Sequence, residues 1–356
     1  MLSRRRRLVF TTVITCAVML GSVGTLLATD MYLHRRVQNL GGVNMWGYRG
    51  PVVGKKKPDE MRIVAIGGST AFCFGVPWNE AWPHYLETAL NRQQPANAHR
   101  FSVVNLGAPG EGAYAFQFEL EDFAYLQYDV AVLYEGYNDL GERNLPEGIP
   151  PRSGPNYFLW RRQSPVFRLT GYLPILPLVF REKAMALMAG GDLDAAYRGR
   201  VTFRPGLATR ATAMALQTAA TLADRVGAQL GHLSDDPSRV AGMAAAGEVE
   251  TWRHYVESVT QAVGYARARR VKVLVVTQPY GSDTHIRQQQ VLASALADRF
   301  GGDHSVRYVN LGPLLNLRDR EIAFDGLHLV ARANENIAAQ LLQPVLELSM
   351  GTSAKE

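Results

Sequence analysis

Five short apolar runs, separated by stretches with helical spacing, constrain this chain more than any other feature. They are "RIVAIG" (62–67), "FSVVNLG" (101–107), "DVAVLYEG" (129–136), "VKVLVVTQP" (271–279) and "SVRYVNL" (305–311). Several show no polar alternation, the mark of strands covered on both faces, as in a parallel sheet. Helical patterns lie at 79–93, 114–126, 247–270 and 287–300, and a last one closes the chain at 331–348. This βαβα alternation predicts a three-layer α/β/α sandwich around a flavodoxin-like, five-stranded parallel sheet with right-handed crossovers. In such a sheet ligands bind beyond the carboxyl ends of the strands, so the residues after each strand are the ones to inspect.

The segments outside this alternation divide the chain. Leu8–Ala28 is an uncharged, mostly apolar run of 21 residues, preceded by Arg4–Arg7 and followed by Arg35 and Arg36. About 20 such residues cross a bilayer as a helix, and the arginine cluster favours a cytoplasmic N-terminus with the body of the chain outside. Residues 1–30 are thus read as a cytoplasmic Arg cluster and a retained single-pass anchor in the cytoplasmic membrane. A cleaved signal peptide is the competing reading, and "TLLATD" is a poor cleavage site for it. Residues 31–60, Gly-rich and basic, read as a juxtamembrane linker, 61–348 as the main α/β domain, and 349–356 as a tail. Between the third and fourth strands, 141–246 exceeds any crossover and reads as an insertion or lid. Its uncharged stretch from Leu169 to Phe180 is 12 residues long, too short to span.

Charge narrows the partners. The net +6 is concentrated in residues 1–60, which carry +7, and the remainder is near neutral at −1. Nucleic acid is therefore not expected as a partner. Cys16 and Cys73 are the only cysteines, which excludes a cysteine-built zinc site and says nothing about compartment.

At the strand ends stand Gly67-Gly68-Ser69, then Asn105-Leu106-Gly107-Ala108-Pro109-Gly110, then Gly136-Tyr137-Asn138-Asp139. Near the C-terminus "FDGLHL" sets Asp325 three residues before His328. Gly-Gly-Ser has three readings: a phosphate cradle, a plain tight turn, or a nucleophile aimed from the sheet. The cradle fails because no Gly-Lys-Ser/Thr follows and G-x-G-x-x-G is absent. Nor is it the G-x-S-x-G elbow, since Ala71 stands where the last glycine would be. A serine becomes nucleophilic when an imidazole takes its proton, and a carboxylate one turn away can orient that imidazole. Backbone N–H groups beside glycines and a side-chain amide can stabilise an oxyanion. Taken singly, each piece also reads as an ordinary turn or helix cap, and Asp325–His328 as a surface turn or, less readily, a metal pair. Their joint occurrence at separate strand ends favours chemistry.

That ordered set, Ser69, Gly110, Asn138 and His328 within "GGS", "NLGAPG", "GYND" and "DGLH", resembles the four blocks of the SGNH (GDSL-type) hydrolase superfamily. The likeness spans about 60–140 and 270–348. Gly68 stands where the name-giving motif has Asp, and the glycine often found a few residues after the histidine is missing. The resemblance implies Ser69 as nucleophile, His328 as general base and then acid, and Asp325 as its orienting carboxylate. It implies an oxyanion hole built from the backbone N–H groups of Ser69 and Gly110 and the Asn138 side chain. No cofactor and no metal are implied. The expected function is a membrane-anchored, extracytoplasmic (periplasmic) serine esterase acting on an ester-bearing small molecule or an acylated, for instance O-acetylated, glycan. An O-acyltransferase using the same site, and a non-catalytic glycan-binding or scaffold protein, are the alternatives. Protein partners are left unassigned.

Overall fold

The computed structural model of the protein describes residues 4–39, 42–93, 100–134, 136–140, 164–192, 196, 201–231 and 252–350. The five expected strands form as β1 (Glu60–Ile66), β2 (Arg100–Asn105), β3 (Val130–Tyr134), β4 (Lys272–Thr277) and β5 (Val306–Asn310). They make one sheet in the order β2-β1-β3-β4-β5, and every pairing is parallel. The helices, in chain order, are α1 (Arg4–Asn39), α2 (Ser69–Phe72), α3 (Trp82–Gln93), α4 (Phe116–Asp122), α5 (Pro165–Thr170), α6 (Leu176–Met188), α7 (Leu207–Gly231), α8 (Arg253–Ala268), α9 (Asp283–Phe300) and α10 (Ala331–Met350).

The alternation of side chains along each strand builds the two outer layers. Ile63, Ala65, Val130, Val132, Leu274 and Val276 face Trp82 and Leu86 of α3 and Ile337 and Leu341 of α10. Val64, Ile66, Ala131, Leu133, Val273 and Val275 face Phe116 of α4, Val259 and Val263 of α8, and Leu292 of α9. Each fully buried Val, Leu, Ile or Phe side chain among these contributes about 1.5–3 kcal/mol relative to exposure. The consequence for function is geometric: all five strands deliver their carboxyl ends to one edge.

Two expectations are refined. Helix α9 starts at Asp283 rather than 287, because the Ser282 hydroxyl accepts the His285 N–H at 3.1 Å as an N-cap. The start expected for α8, 247–251, lies outside the described residues, as do 141–163 and 232–246 of the insertion. Within the described part of the insertion, the uncharged 169–180 run is broken into two elements. Gly171 closes α5 in the left-handed region at φ 74, and α6 begins at Leu176 with a proline in its first turn.

Within the expected linker, 31–60, helix α1 continues to Asn39, and residues 42–53 pack onto the body. Tyr48 and Arg49 are buried, the Tyr48 hydroxyl accepts the Val53 N–H, and the Arg49 N–H donates to the Asn105 carbonyl at 2.9 Å. Its glycines serve tight turns, Gly47 and Gly50 having φ of 81 and 94. Composition alone does not separate a glycine that turns the chain from one that loosens it.

Candidate active site

Helix α2 begins on Ser69, directly beyond the end of β1. The approach demands Gly67: its φ is 155, and a Cβ there would lie 2.0 Å from the Tyr134 carbonyl oxygen of β3. The end of β2 is sewn to the same turn. Asn105 donates from its side chain to the Ala71 carbonyl at 3.0 Å and accepts the Gly107 N–H at 2.9 Å, while the Ala108 N–H donates to the Gly67 carbonyl.

Ser69, His328 and Asp325 come together in one chain of hydrogen bonds. His328 Nε2 lies 2.8 Å from Ser69 Oγ, and its Nδ1 lies 2.7 Å from Asp325 Oδ2. Asp325 Oδ1 accepts the backbone N–H of His328 at 2.8 Å and of Leu327 at 3.0 Å, so the carboxylate is fixed on both oxygens. Burial raises the Asp325 carboxyl pKa, but the bonds from the His328 N–H, the His328 ring and Leu327 outweigh it and hold the group below the usual carboxylate range. With a carboxylate on Nδ1, the ring carries its proton there and presents Nε2 as the acceptor for the serine hydroxyl. Such a relay can move a proton from an attacking hydroxyl to a leaving oxygen.

The other two expected residues lie at a neighbouring turn. Gly110 adopts φ 79, with open space where a Cβ would stand. Asn138 donates one N–H of its side chain to the Glu111 carbonyl at 2.8 Å, which brings the amide alongside the Glu111–Gly112 peptide. Asp139 supports the same turn by accepting the Ala113 N–H at 3.0 Å.

Several residues around this constellation were not singled out from the sequence. Gln278, fully buried just past β4, accepts the Tyr137 N–H at 3.0 Å and donates to the Thr70 hydroxyl, tying the Asn138 turn to the Ser69 turn. The rule of inspecting strand ends reaches Gln278, but nothing in "VVTQP" marks it. Arg49 donates to the carbonyls of Phe72, Cys73 and Val76, gripping the chain where α2 ends, and its guanidinium sits 4.3 Å over the Phe72 ring. No periodicity or motif announces it. Phe74 and Phe324 flank the His328 ring with centroids 5.2 and 5.9 Å away, Phe324 lying nearly parallel to it, and both are exposed. Among the described residues no group of three His, Cys, Asp or Glu side chains is placed to hold a metal ion.

No family model matches the chain, and no curated protein matches it. Solved structures do. The chain is similar to a protein assigned to the G-D-S-L lipolytic family from Desulfitobacterium hafniense, at 9% identity and TM-score 0.40 over 80% of this chain and 98% of that one. It is similar to a catalytic mutant of Axe2, an acetylxylan esterase from Geobacillus stearothermophilus, at 12% identity and TM-score 0.41 over 82% and 95%. A carbohydrate esterase family 3 structure from Talaromyces cellulolyticus follows at 10% identity and TM-score 0.35 over 82% and 100%. Superpositions at this level carry no argument about chemistry, which rests on the geometry of this chain. The sheet order and the Ser–His–Asp hydrogen-bond chain at its carboxyl edge describe an α/β protein with a geometry that can support serine-based acyl chemistry.

Proposed function

We propose that the protein is a serine esterase of SGNH type, and the observation that carries the reading is the 2.8 Å and 2.7 Å relay from Ser69 through His328 to Asp325. Ser69 Oγ attacks the ester carbonyl while His328 Nε2 takes its proton. The tetrahedral oxyanion is received by the backbone N–H groups of Ser69 and Gly110 and by the Asn138 side chain. His328 then returns the proton to the departing alcohol oxygen, leaving an acyl-serine that water, activated by the same imidazole, hydrolyses.

The alcohol side of the ester is the side His328 must protonate, and that is where Phe74 and Phe324 stand exposed. An aromatic rim there suits an alcohol with a CH-rich face, such as a pyranose, which favours an O-acylated glycan as substrate. The N-terminal helix is long and apolar enough to cross a membrane, and we read it as a retained anchor. Its continuation beyond the apolar run packs against the body through Asp30 and His34, which supports one continuous element from Arg4 to Asn39. The arginine cluster then sets the N-terminus in the cytoplasm and the esterase domain outside.

The test is hydrolysis of a short-chain aryl ester by the full-length protein in detergent. Ser69→Ala should lower kcat by several orders of magnitude while the protein stays folded. Equal rates for the two proteins would overturn the esterase reading. Acetate release from an acetylated polysaccharide, with a deacetylated sample as control, tests the glycan.

A further inference from the structure

At its C-terminal end α1 is bolted to the body. Asp30 and His34, 4% and 1% exposed, are turned into the insertion. Asp30 Oδ2 accepts the N–H groups of Ile175 at 2.8 Å and Leu176 at 2.7 Å, at the start of the 13-residue helix α6, where a carboxylate meets the positive end of the dipole. Its Oδ1 accepts the Tyr172 hydroxyl, and His34 Nε2 donates to the Leu173 carbonyl at 2.6 Å. The anchor is therefore not joined to the catalytic body by a swivelling tether.

Around this joint stand the side chains a phospholipid headgroup layer takes. Trp46 meets the Tyr172 ring edge-on with centroids 6.4 Å apart, and the Tyr125 hydroxyl donates to the Trp46 carbonyl at 3.4 Å. On the other side of the helix from buried His34, Tyr32 is 59% exposed, and Arg35 and Arg36 are exposed too. Leu169, on α5 just before Gly171, is 72% exposed. From Ala28, the end of the apolar run, to Tyr32 is about 6 Å of helix. The headgroup layer on one side of a bilayer is about 5–8 Å thick. Aromatic rings with one polar end, and arginines reaching for phosphates, are what that layer accommodates.

We propose that this collar, Tyr32, Arg36, Trp46, Tyr125, Leu169 and Tyr172, is a lipid-binding surface that seats the esterase domain on the headgroups of the bilayer its anchor crosses. The inference rests on the anchor reading above. Lipid is the occupant because the collar continues directly from α1, whose apolar window is entirely uncovered by protein. Seated in this way, the active site works at one fixed height above the membrane instead of sweeping a volume.

The experiment uses the full-length protein in phosphatidylcholine–phosphatidylglycerol vesicles. Tryptophan emission is quenched by a headgroup nitroxide lipid, by a lipid labelled deep in its acyl chain, and by aqueous iodide, with Trp46→Phe isolating the Trp46 signal. The expected result is that the headgroup label quenches Trp46, while the deep label and iodide do so only weakly. A nitroxide on Leu169→Cys, in a Cys16→Ser background with Cys73 buried, reads the same surface without touching Trp46. It should be reached by oxygen more than by a nickel chelate in water. Protein that co-floats with vesicles while both probes report water overturns the collar and leaves the anchor intact. Reversal of both readings on adding a soluble extract, with lipid unchanged, would give the surface to a protein and also overturn the proposal. Protein that fails to co-float removes the anchor and the collar with it, whereas esterase activity is read independently of both.

Discussion

His328 stands between a hydroxyl and a carboxylate, and each neighbour does a different job. In the proposed mechanism Asp325 sets the tautomer and compensates the charge that develops on the ring when Ser69 gives up its proton. Asp325→Asn keeps the shape and most of the hydrogen bonding but removes that charge and permits the wrong tautomer. A loss of about 10³–10⁴ in kcat on an aryl ester is expected, with KM little changed; a loss below tenfold would show that the carboxylate only positions the loop. A second histidine carries a pH signature. His285 is fully buried behind the Asn138 turn, with Tyr137 at 4.7 Å and Tyr280 at 5.8 Å between ring centroids and Gln288 and Gln289 beside it. Burial lowers its pKa to about 4. The unfolded chain protonates this ring near its ordinary value of about 6.5, while the folded protein does not. Stability from this group is therefore full above about 6.5 and is lost as pH falls toward 4, by roughly 3 kcal/mol. Denaturation midpoints at pH 7 and pH 4.5 should show that loss, and His285→Gln should flatten it. The grouping of Ser69, Asp325 and His328 was legible because a serine, an imidazole and a carboxylate beyond the sheet are chemically distinctive types. Gln278 was not, because a glutamine after a strand looks the same whether it faces water or ties two catalytic turns together.

At the scale of elements, the strands were legible to within two residues at each end, since burial on both faces leaves unbroken Val, Ile, Leu and Ala runs. Helix starts were less so, because a cap such as Ser282 acts through one hydrogen bond that hydrophobic spacing does not register. The packing of 42–53, within the expected linker 31–60, was not legible for a related reason: glycines that turn a chain and glycines that loosen it leave the same composition. Its role is visible only in three dimensions, where Arg49 holds the three carbonyls that end the nucleophile helix. Arg49→Ala leaves those buried acceptors short of donors, and a destabilisation of about 2–4 kcal/mol by chemical denaturation is expected. Arg49→Lys restores the charge but not the planar fork, so it should recover only part of that loss. Full recovery by lysine would mean that charge alone, not the fork, holds the turn.

For the whole molecule, the proposed anchor and orientation rest on the apolar helix α1 and on the excess of positive charge at the N-terminal end beside a near-neutral body. Sequence order carried the site: blocks far apart along the chain converge because a parallel sheet brings every strand's carboxyl end to one edge. The insertion between β3 and β4 was visible as excess length, but its docking to α1 through Asp30 depends on packing that no local pattern encodes. The central claim is that Ser69 is an activated nucleophile, and phosphonylation by a fluorophosphonate tests it most directly. The Ser69 oxygen–phosphorus bond forms, fluoride leaves, and His328 takes the hydroxyl proton. Intact mass and peptide mapping of wild type, Ser69→Ala and His328→Ala read the outcome. The account predicts one adduct, on Ser69, in the wild type and none at comparable times in either variant. An adduct on another residue accompanying loss of hydrolysis, or unmodified Ser69 in a protein that still cleaves esters, would contradict it.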